Sequence, residues 1–425
     1  MKSTSDQPTN KVVTFVAVAT ALALIGDSML YVVLPIYYKE AGLDSLWQVG
    51  VILSINRFVR LPLHPFIGYF YKKTSLRTGI IIALVLAVIS TLGYGLASGF
   101  VLWILLRCIW GIAWSLLKIG GMSTAVFYST AANRGRVIGL YNGIYRIGSL
   151  VGMLVGGIIV PFMGFSTTSI IFGFMSMIGI PLIWMAVSGN THTTDIDNPT
   201  ASINGSAFVR YLLNKRTLLI ISSGFIIALL FQGVFASIIS TALEFNYGEN
   251  IMIFGWLFTV TALAGIIQAL RWMWEPFLAS KIGALTDGYK GRIPIYIGSL
   301  VIAAISFGLL ALNMNVIIWI IVCIVVMLAA TSLTTVSDAF ASDSASSSSI
   351  ISFITLYSIV LDLGSAAGPI LAFSIISFTY GLQAVFIASS IILLILALFW
   401  VFALVHDRKE GTKIYNQRKE EAILK

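Results

Sequence analysis

The sequence predicts an all-α membrane protein in which twelve transmembrane helices form two pseudosymmetric bundles of six. The chain has 425 residues, of which 58% are hydrophobic and 10% are charged, whereas soluble domains carry about 25% charged residues. Apolar runs of about 20 residues, the length that crosses a bilayer, recur along the whole chain. A water-soluble fold of this length has no way to bury so much apolar surface.

A polar segment divides the apolar runs six and six. It is rich in Thr, Asn and Asp and occupies residues 189–216. We therefore expect an N-terminal bundle at 1–188, a cytoplasmic linker at 189–216, and a C-terminal bundle with a cytoplasmic tail at 217–425. The predicted spans are 12–37, 46–70, 78–97, 100–124, 136–160, 166–188, 217–241, 252–280, 293–312, 315–339, 350–376 and 380–404.

Lysine and arginine placement sets the expected orientation. With both termini in the cytoplasm, 19 of the 26 basic residues fall in cytoplasmic segments and only Lys39 falls in an outside loop. This asymmetry follows the rule that short cytoplasmic loops are enriched in positive charge. We expect a multi-pass protein of the cell inner (cytoplasmic) membrane. The net charge of +9 does not indicate nucleic-acid binding, because the chain has no dense basic cluster.

The two halves repeat each other. In the second span "RFVRLP" begins at Arg57, and in the eighth "RWMWEP" begins at Arg271. In the fifth span "RIGSLVGM" begins at Arg146, and in the eleventh "DLGSAAGP" begins at Asp362. Internal repeats of this kind build the central site of many secondary transporters.

The loops after the second and eighth spans give the first likeness to a known family. "GYFYKKTSLR" begins at Gly68, and "GALTDGYKGR" runs from Gly283 through Asp287 to Arg292. Together with "RCIWG" at Arg107, these loops resemble the signature motifs of the major facilitator superfamily. The first loop departs from the family pattern, since a lysine replaces its aspartate.

A glycine pattern in the fifth span resembles the motif of exporters in that superfamily. The glycines lie at the motif's spacing, with a methionine in place of its proline, and they are Gly139, Gly148, Gly152, Gly156 and Gly157. Glycines four residues apart share one helix face, which lets another helix approach closely. The resemblance implies an exporter and assigns a conformational or gating role to these glycines and to Gly68, Gly283, Asp287 and Arg292.

Charged residues within the spans predict an internal aqueous cavity. Arg57, Arg60 and His64 lie on one face of their helix, and Gln268, Arg271 and Glu275 repeat that spacing. Each charge facing lipid costs at least ~2.5 kcal/mol, so we expect these faces to turn inward.

Two ion pairs between the halves are predicted from the heights of the residues in the membrane. The superfamily resemblance places the second helix near the eleventh and the fifth near the eighth. Arg57 lies about 16 Å and Asp362 about 18 Å from the cytoplasmic end at the helical rise. We expect Arg57 or Arg60 to pair with Asp362, and Arg146 to pair with Glu275. They are gates between conformations or static structural pairs.

Basic residues outnumber acidic ones within the spans, which favours an anionic or zwitterionic substrate held by guanidinium groups. The expected substrate-binding residues are Arg57, Arg60, His64, Arg107, Trp110, Arg146, Gln232, Gln268 and Arg271.

Asp27 has no basic neighbour in the sequence. Its segment, an acid followed by Leu-Pro, resembles the first helix of drug:proton antiporters. An isolated carboxyl group in a low-dielectric cavity is suited to carry a proton. We expect proton coupling at Asp27 first, and then at Asp362 and Glu275.

These observations predict a secondary active transporter, a proton-coupled exporter of a small anionic or zwitterionic organic molecule. A multidrug:proton antiporter and an anion:proton symporter that imports remain alternatives. "GDSMLYVVLP" with the arginine-rich second span also resembles exporters of opine-type metallophores, the staphylopine group. No nucleotide loop, catalytic set or metal-ligand spacing is found. We expect no enzyme activity, no cofactor and no metal, and a monomer that handles substrate and protons in the bilayer.

Overall fold

The computed structural model describes residues 6–130, 133–189, 215–286, 291–344 and 350–423. The first part of the chain forms helices that meet at short turns. They are α1 (Asp6–Tyr37), α2 (Leu46–Lys73), α3 (Leu76–Leu96), α4 (Phe100–Phe127), α5 (Arg134–Met163), α6 (Phe165–Met177) and α7 (Gly179–Ala186). The predicted sixth span is divided between α6 and α7. Pro181 follows the break closely and cannot donate a backbone hydrogen bond to the preceding turn.

The second part of the chain is also helical and adds one hairpin. Its elements are α8 (Lys215–Ile227), the π-helical segment π1 (Ala228–Phe235), α9 (Ala236–Tyr247), β1 (Asn250–Ile253), β2 (Trp256–Thr259), α10 (Val260–Thr286), α11 (Arg292–Leu310), α12 (Val316–Ser344), α13 (Ile350–Ile376) and α14 (Gly381–Ile423). The last helix continues beyond its membrane-length part, Gly381–Val405, which agrees with the predicted span 380–404.

Among the described residues, ten helical segments are long and apolar enough to cross a membrane. Two further helices, α2 and α10, have 28 and 27 residues. They carry the charged residues Arg57, Arg60, Arg271 and Glu275 within their length.

The start of the predicted eighth span is a β-hairpin and not a helix. Strands β1 and β2 pair antiparallel, with Ile253 opposite Trp256. Phe254 and Gly255 form the two-residue turn with φ angles of 50° and 83°, as a type I′ turn requires. The sequence prediction failed here because a short apolar run fits a strand as well as a helix.

The glycine face of α5 packs directly on α1. A methyl group added to Gly148 or Gly152 would collide with the α1 backbone at Ala21 or Ile25, and one added to Gly156 would meet the Met29 side chain. The shared face expected from the four-residue spacing is therefore present. It joins two helices of the same half.

The opposite face of α5 crosses to α10 in the other half. Near the C-terminal end of α5, the Gly157 carbonyl accepts a hydrogen bond of 2.9 Å from the Thr261 hydroxyl. One turn further along, a methyl group on Gly265 would collide with the Met153 carbonyl. The two halves are in close contact at this end.

The same seam opens towards the other end. A methyl group added to Gly143 or Gly139, near the start of α5, would find no atom within 4 Å, and the same holds for Gly283 near the end of α10. At the closed end α2 and α13 also touch, since a methyl group on Gly50 would lie 2.8 Å from the Pro369 carbonyl oxygen. The halves therefore enclose a wedge that is closed at one end.

Candidate functional site

An ion pair joins α2 to α13 across the wedge. Arg60 Nη2 lies 3.2 Å from Asp362 Oδ1, and the two side chains are only 9% and 18% exposed. The heights of the residues in the membrane predicted that either Arg57 or Arg60 pairs with Asp362. The structure shows that the partner is Arg60.

Arg57 binds backbone carbonyls, and no carboxylate partner of it is found among the residues that the structure describes. Its Nη1 donates hydrogen bonds to the carbonyl oxygens of Ser365, at 2.7 Å, and Gln232, at 3.4 Å. Its guanidinium also lies over the Tyr31 ring, 5.5 Å from the centroid. Because neither carbonyl is charged, Arg57 keeps its full positive charge beside Arg60.

The π-helical segment positions the carbonyl groups that Arg57 binds. Gln232 lies in π1, where the α-helical hydrogen-bond pattern is interrupted and backbone groups are redirected. At Gly233 the backbone of π1 comes so close to α13 that an added methyl group would lie 2.7 Å from the Gly368 Cα atom. The two carbonyls that Arg57 binds are thus brought together by glycine contact between π1 and α13.

Lys118 places a third cation on this side. It lies in α4 and is exposed although it is well inside a membrane-length helix. It is within electrostatic range of Asp362 and Arg60. No ion pair of Lys118 is found within the described part of the chain. The group formed by Arg57, Arg60, Lys118 and Asp362, which we call the α2/α13 cluster, carries three positive charges and one negative.

A second ion pair joins α5 to α10, as the sequence predicted. Arg146 Nη1 lies 3.2 Å from Glu275 Oε1, and Arg271 Nε lies 3.4 Å from Glu275 Oε2. One carboxylate is therefore shared by two guanidinium groups. Asp338 on α12 is exposed and within electrostatic range of Arg146 and Glu275. These four residues, the α5/α10 cluster, carry two charges of each sign.

Gln268 and Arg271 line a small pocket where the two halves converge. The pocket wall contains Met153, Phe231, Phe235, Ala236, Ile239, Gln268, Arg271, Trp272 and Met327. Gln268 is 4% exposed. Its Nε2 atom has no hydrogen-bond partner among the described residues.

Arg107 and Trp110, which the sequence predicts to bind the substrate, are both buried in the N-terminal half. Their exposed fractions are 0% and 1%. The Arg107 guanidinium pairs with Asp27 and donates hydrogen bonds to the Ile52 carbonyl at 3.0 Å and the Tyr94 hydroxyl at 3.3 Å. Arg107 is thus held inside the N-terminal half, away from the wedge.

Asp27 is likewise not the isolated carboxyl group that the sequence indicated. It lies on α1, its partner Arg107 lies on α4, and both belong to the same half. The partner could have been found from depth, since Asp27 lies about 15 Å from the C-terminal end of α1 and Arg107 about 10 Å from the N-terminal end of α4, and these two ends are on the same side of the bundle. The sequence did not predict this pair because residue heights were compared only between the two halves, and not between helices of the same half.

The remaining motif residues are distributed as follows. The side chain of His64 and the whole of Asp287 lie outside the described residues. Gly68 is buried in α2. Arg292, at the start of α11, pairs with Asp343 of α12 and donates a 3.0 Å hydrogen bond to the Thr286 carbonyl.

The fold and the charged wedge define a class of membrane transporter, and comparison with known proteins gives the family. The sequence profile of the Major Facilitator Superfamily matches residues 16–278 and 276–424. The chain belongs to the Major Facilitator Superfamily, a family of transporters and not of enzymes.

Sequence relatives match only part of the chain. The MFS-type transporter YcaD of Salmonella arizonae is 27% identical over 134 residues, which are 32% of this chain and 35% of the relative. YcaD of Salmonella typhi gives the same identity and coverage. The chain thus aligns with about a third of the length of these curated relatives.

Solved structures share the fold along nearly the whole chain. A bacterial homologue of the human lysosomal transporter Spinster, in an inward-facing and unoccupied conformation, superposes with a TM-score of 0.75 at 15% identity, covering 95% of this chain and 97% of that one. The nucleoside transporter NupG gives a TM-score of 0.73 at 13% identity, covering 92% and 98%. At these identities the likeness concerns the fold alone.

Proposed function

We propose that this transporter exports a small anionic or zwitterionic organic molecule by proton-coupled alternating access. In this proposal α2 and α10 complete a set of twelve spans, and both termini are cytoplasmic. The observation that carries it is the charge of the wedge. Within the described residues, the two clusters hold five basic side chains, Arg57, Arg60, Lys118, Arg146 and Arg271, against three acidic ones, Asp362, Glu275 and Asp338.

The excess positive charge lies in the α2/α13 cluster. Arg60 has a carboxylate partner, whereas Arg57 is bound to carbonyls and Lys118 is exposed. A cation without a carboxylate partner is stabilised when a ligand supplies one. A carboxylate or phosphate bound at Arg57 or at Lys118 would do so, and a lipophilic cation would add to the repulsion. The carboxylate-rich metallophores suggested by the sequence belong to this anionic class.

The wedge and its ion pairs support alternating access. The positive-inside rule places its open end, near the start of α5 and the end of α10, in the cytoplasm. The Arg60–Asp362 and Arg146–Glu275 ion pairs each join a helix of the N-terminal half to a helix of the C-terminal half. A rocking motion that closes the cytoplasmic end and opens the other would separate these pairs.

Asp362 and Glu275 are the proposed sites of proton coupling. Protonation of either carboxyl group would neutralise the acid that holds the halves together, so it would favour separation of the pair. Asp27 is less suited to this role because its partner Arg107 lies in the same half and moves with it. Export as the direction is supported by the glycine face of α5.

Comparative metabolite analysis tests the proposal. The full-length protein is expressed in a host, and small molecules in the medium and in the cells are compared with those of a matched strain expressing the Arg60→Gln/Asp362→Asn double variant, which keeps the net charge. We expect organic anions or zwitterions to accumulate in the medium only with the wild-type protein. Accumulation of lipophilic cations would favour the multidrug antiporter, and depletion of anions from the medium would favour an importing symporter.

A further inference from the structure

The pocket at the convergence of the halves has an apolar interior. Phe231 and Phe235 of π1 and Ile239 of α9 are 0%, 3% and 1% exposed, and Met327 of α12 is 3% exposed. Met153 of α5 completes the wall from the other half. The space that this wall encloses is about 40 Å³, so it admits a short alkyl group and offers nothing to a small hydrated ion.

The polar side of the same pocket presents two donors that lack acceptors. Gln268 Nε2 and Arg271 Nε are both buried without a hydrogen-bond partner in the described part of the chain. A buried donor left without an acceptor is destabilising. Both atoms can only donate, so the ligand atom that satisfies them is an acceptor such as a carboxylate oxygen.

The positive charge of Arg271 is also available to a ligand. Its nearest acid, Glu275, is shared with Arg146 at 3.2 Å and lies 3.4 Å from Arg271 Nε without making a hydrogen bond to it. A ligand carboxylate at Arg271 would leave Glu275 wholly to Arg146. Ligand binding and the α5/α10 ion pair are therefore compatible.

We infer that this pocket binds an amphipathic organic carboxylate, with the carboxylate at Gln268 and Arg271 and the apolar group against Phe231, Phe235 and Ile239. The inference rests on the proposed export of organic anions and narrows the substrate class to those that carry an apolar group. The pocket then selects by the length of that group, and the polar side selects by charge.

A homologous series measures the apolar contribution. Dissociation constants for acetate, butyrate and hexanoate are obtained with the purified full-length protein from ligand-dependent shifts of its unfolding temperature. Each methylene buried contributes about 0.8 kcal/mol, so affinity should rise about fourfold per methylene until the pocket is full. Ethyl-, butyl- and hexyltrimethylammonium form the cationic series, for which we expect no binding.

Variants separate the two sides of the pocket. Ala236→Phe fills it and should abolish the gain with chain length, whereas Ala262→Phe, on α10 outside the pocket, should leave the gain intact. Met327→Ala enlarges it and should extend the gain to a longer chain than the wild-type pocket holds, which keeps the test decisive if Ala236→Phe does not fold. Gln268→Leu should weaken every carboxylate about fivefold, irrespective of length.

Three results would overturn the inference. Affinity that does not rise with chain length, or that rises equally in Ala236→Phe, would remove the apolar subsite while leaving anion export intact if acetate still binds. A gain confined to the ammonium series and lost in Ala236→Phe would keep the subsite but reject both its carboxylate ligand and the proposed anionic substrate. Binding of neither series would reject the pocket as a ligand site.

Discussion

Replacing Asp362 by asparagine should shift the protein away from the conformation described here. Arg60 Nη2 and Asp362 Oδ1 are 3.2 Å apart, and their side chains are 9% and 18% exposed. The pair joins α2 to α13 and hence one half to the other. Without the carboxylate, Arg60 is left beside Arg57 and Lys118, and three cations then share the cluster.

The size of the shift follows from the burial of the pair. Removing one partner of a buried ion pair costs about 3 kcal/mol. If the pair forms only when the wedge is open at its present end, this cost falls on that conformation alone. A difference of about 3 kcal/mol corresponds to a change of about 100-fold in the ratio of the two conformations. A ratio of 100:1 would thus become nearly even.

Distance distributions between two spin labels measure this ratio. Trp47, at the start of α2, and Phe378, after α13, are 45% and 73% exposed at the closed end. They are changed to cysteine in a background that lacks the native Cys108 and Cys323. Asp362→Asn should add a population with a longer distance between the labels.

The matched control is Asp343→Asn, which breaks the ion pair with Arg292 between α11 and α12 of one half. It should leave the distances unchanged. An Asp362→Asn protein with the wild-type distribution, or an equal shift in the control, would refute the view that the pair holds the two halves together.

Three further outcomes are expected. Arg146→Glu should reduce transport at least tenfold, and the added Glu275→Arg should restore part of it, as measured by substrate flux in proteoliposomes. A double variant that transports no better than the single variants would argue against the pairing. Arg107→Met should destabilise the fold by about 3 kcal/mol, since it leaves a buried carboxylate unpaired, and thermal unfolding would show it; an unchanged unfolding temperature would contradict this. Gly152→Val should lower the unfolding temperature, because the α1 backbone occupies the space that the valine side chain needs. Gly139→Val, with open space around it, should leave the unfolding temperature unchanged. Equal effects of the two substitutions would contradict the close packing of α5 on α1.

Depth comparison predicted both ion pairs between the halves because the helical rise converts sequence position into height in the membrane. It could not choose between Arg57 and Arg60, which differ by less than one turn. The choice depends on π1, which brings the Gln232 and Ser365 carbonyls to Arg57. Hydrophobic periodicity carries no sign of such a segment.

The contacts that the sequence did not predict have a common physical origin. Asp27 and Arg107 were given functional roles because each is a charge within an apolar run, and a run does not show which helix lies beside it. Their contact satisfies both charges inside one half. The pocket around Gln268 was also beyond prediction, because its walls come from α5, π1, α9, α10 and α12.

The central claim is that the charged residues of the α2/α13 and α5/α10 clusters face a shared aqueous chamber open to the cytoplasm. Single cysteines at Lys118 and Arg146, in the cysteine-free background, can be exposed to a membrane-impermeant thiol reagent in inside-out and right-side-out vesicles. Leu105, 55% exposed on α4, gives the matched lipid-facing control. We predict rapid labelling at both charged positions from the cytoplasmic side and none at Leu105. Labelling of Leu105 with protection of the other two would contradict the account.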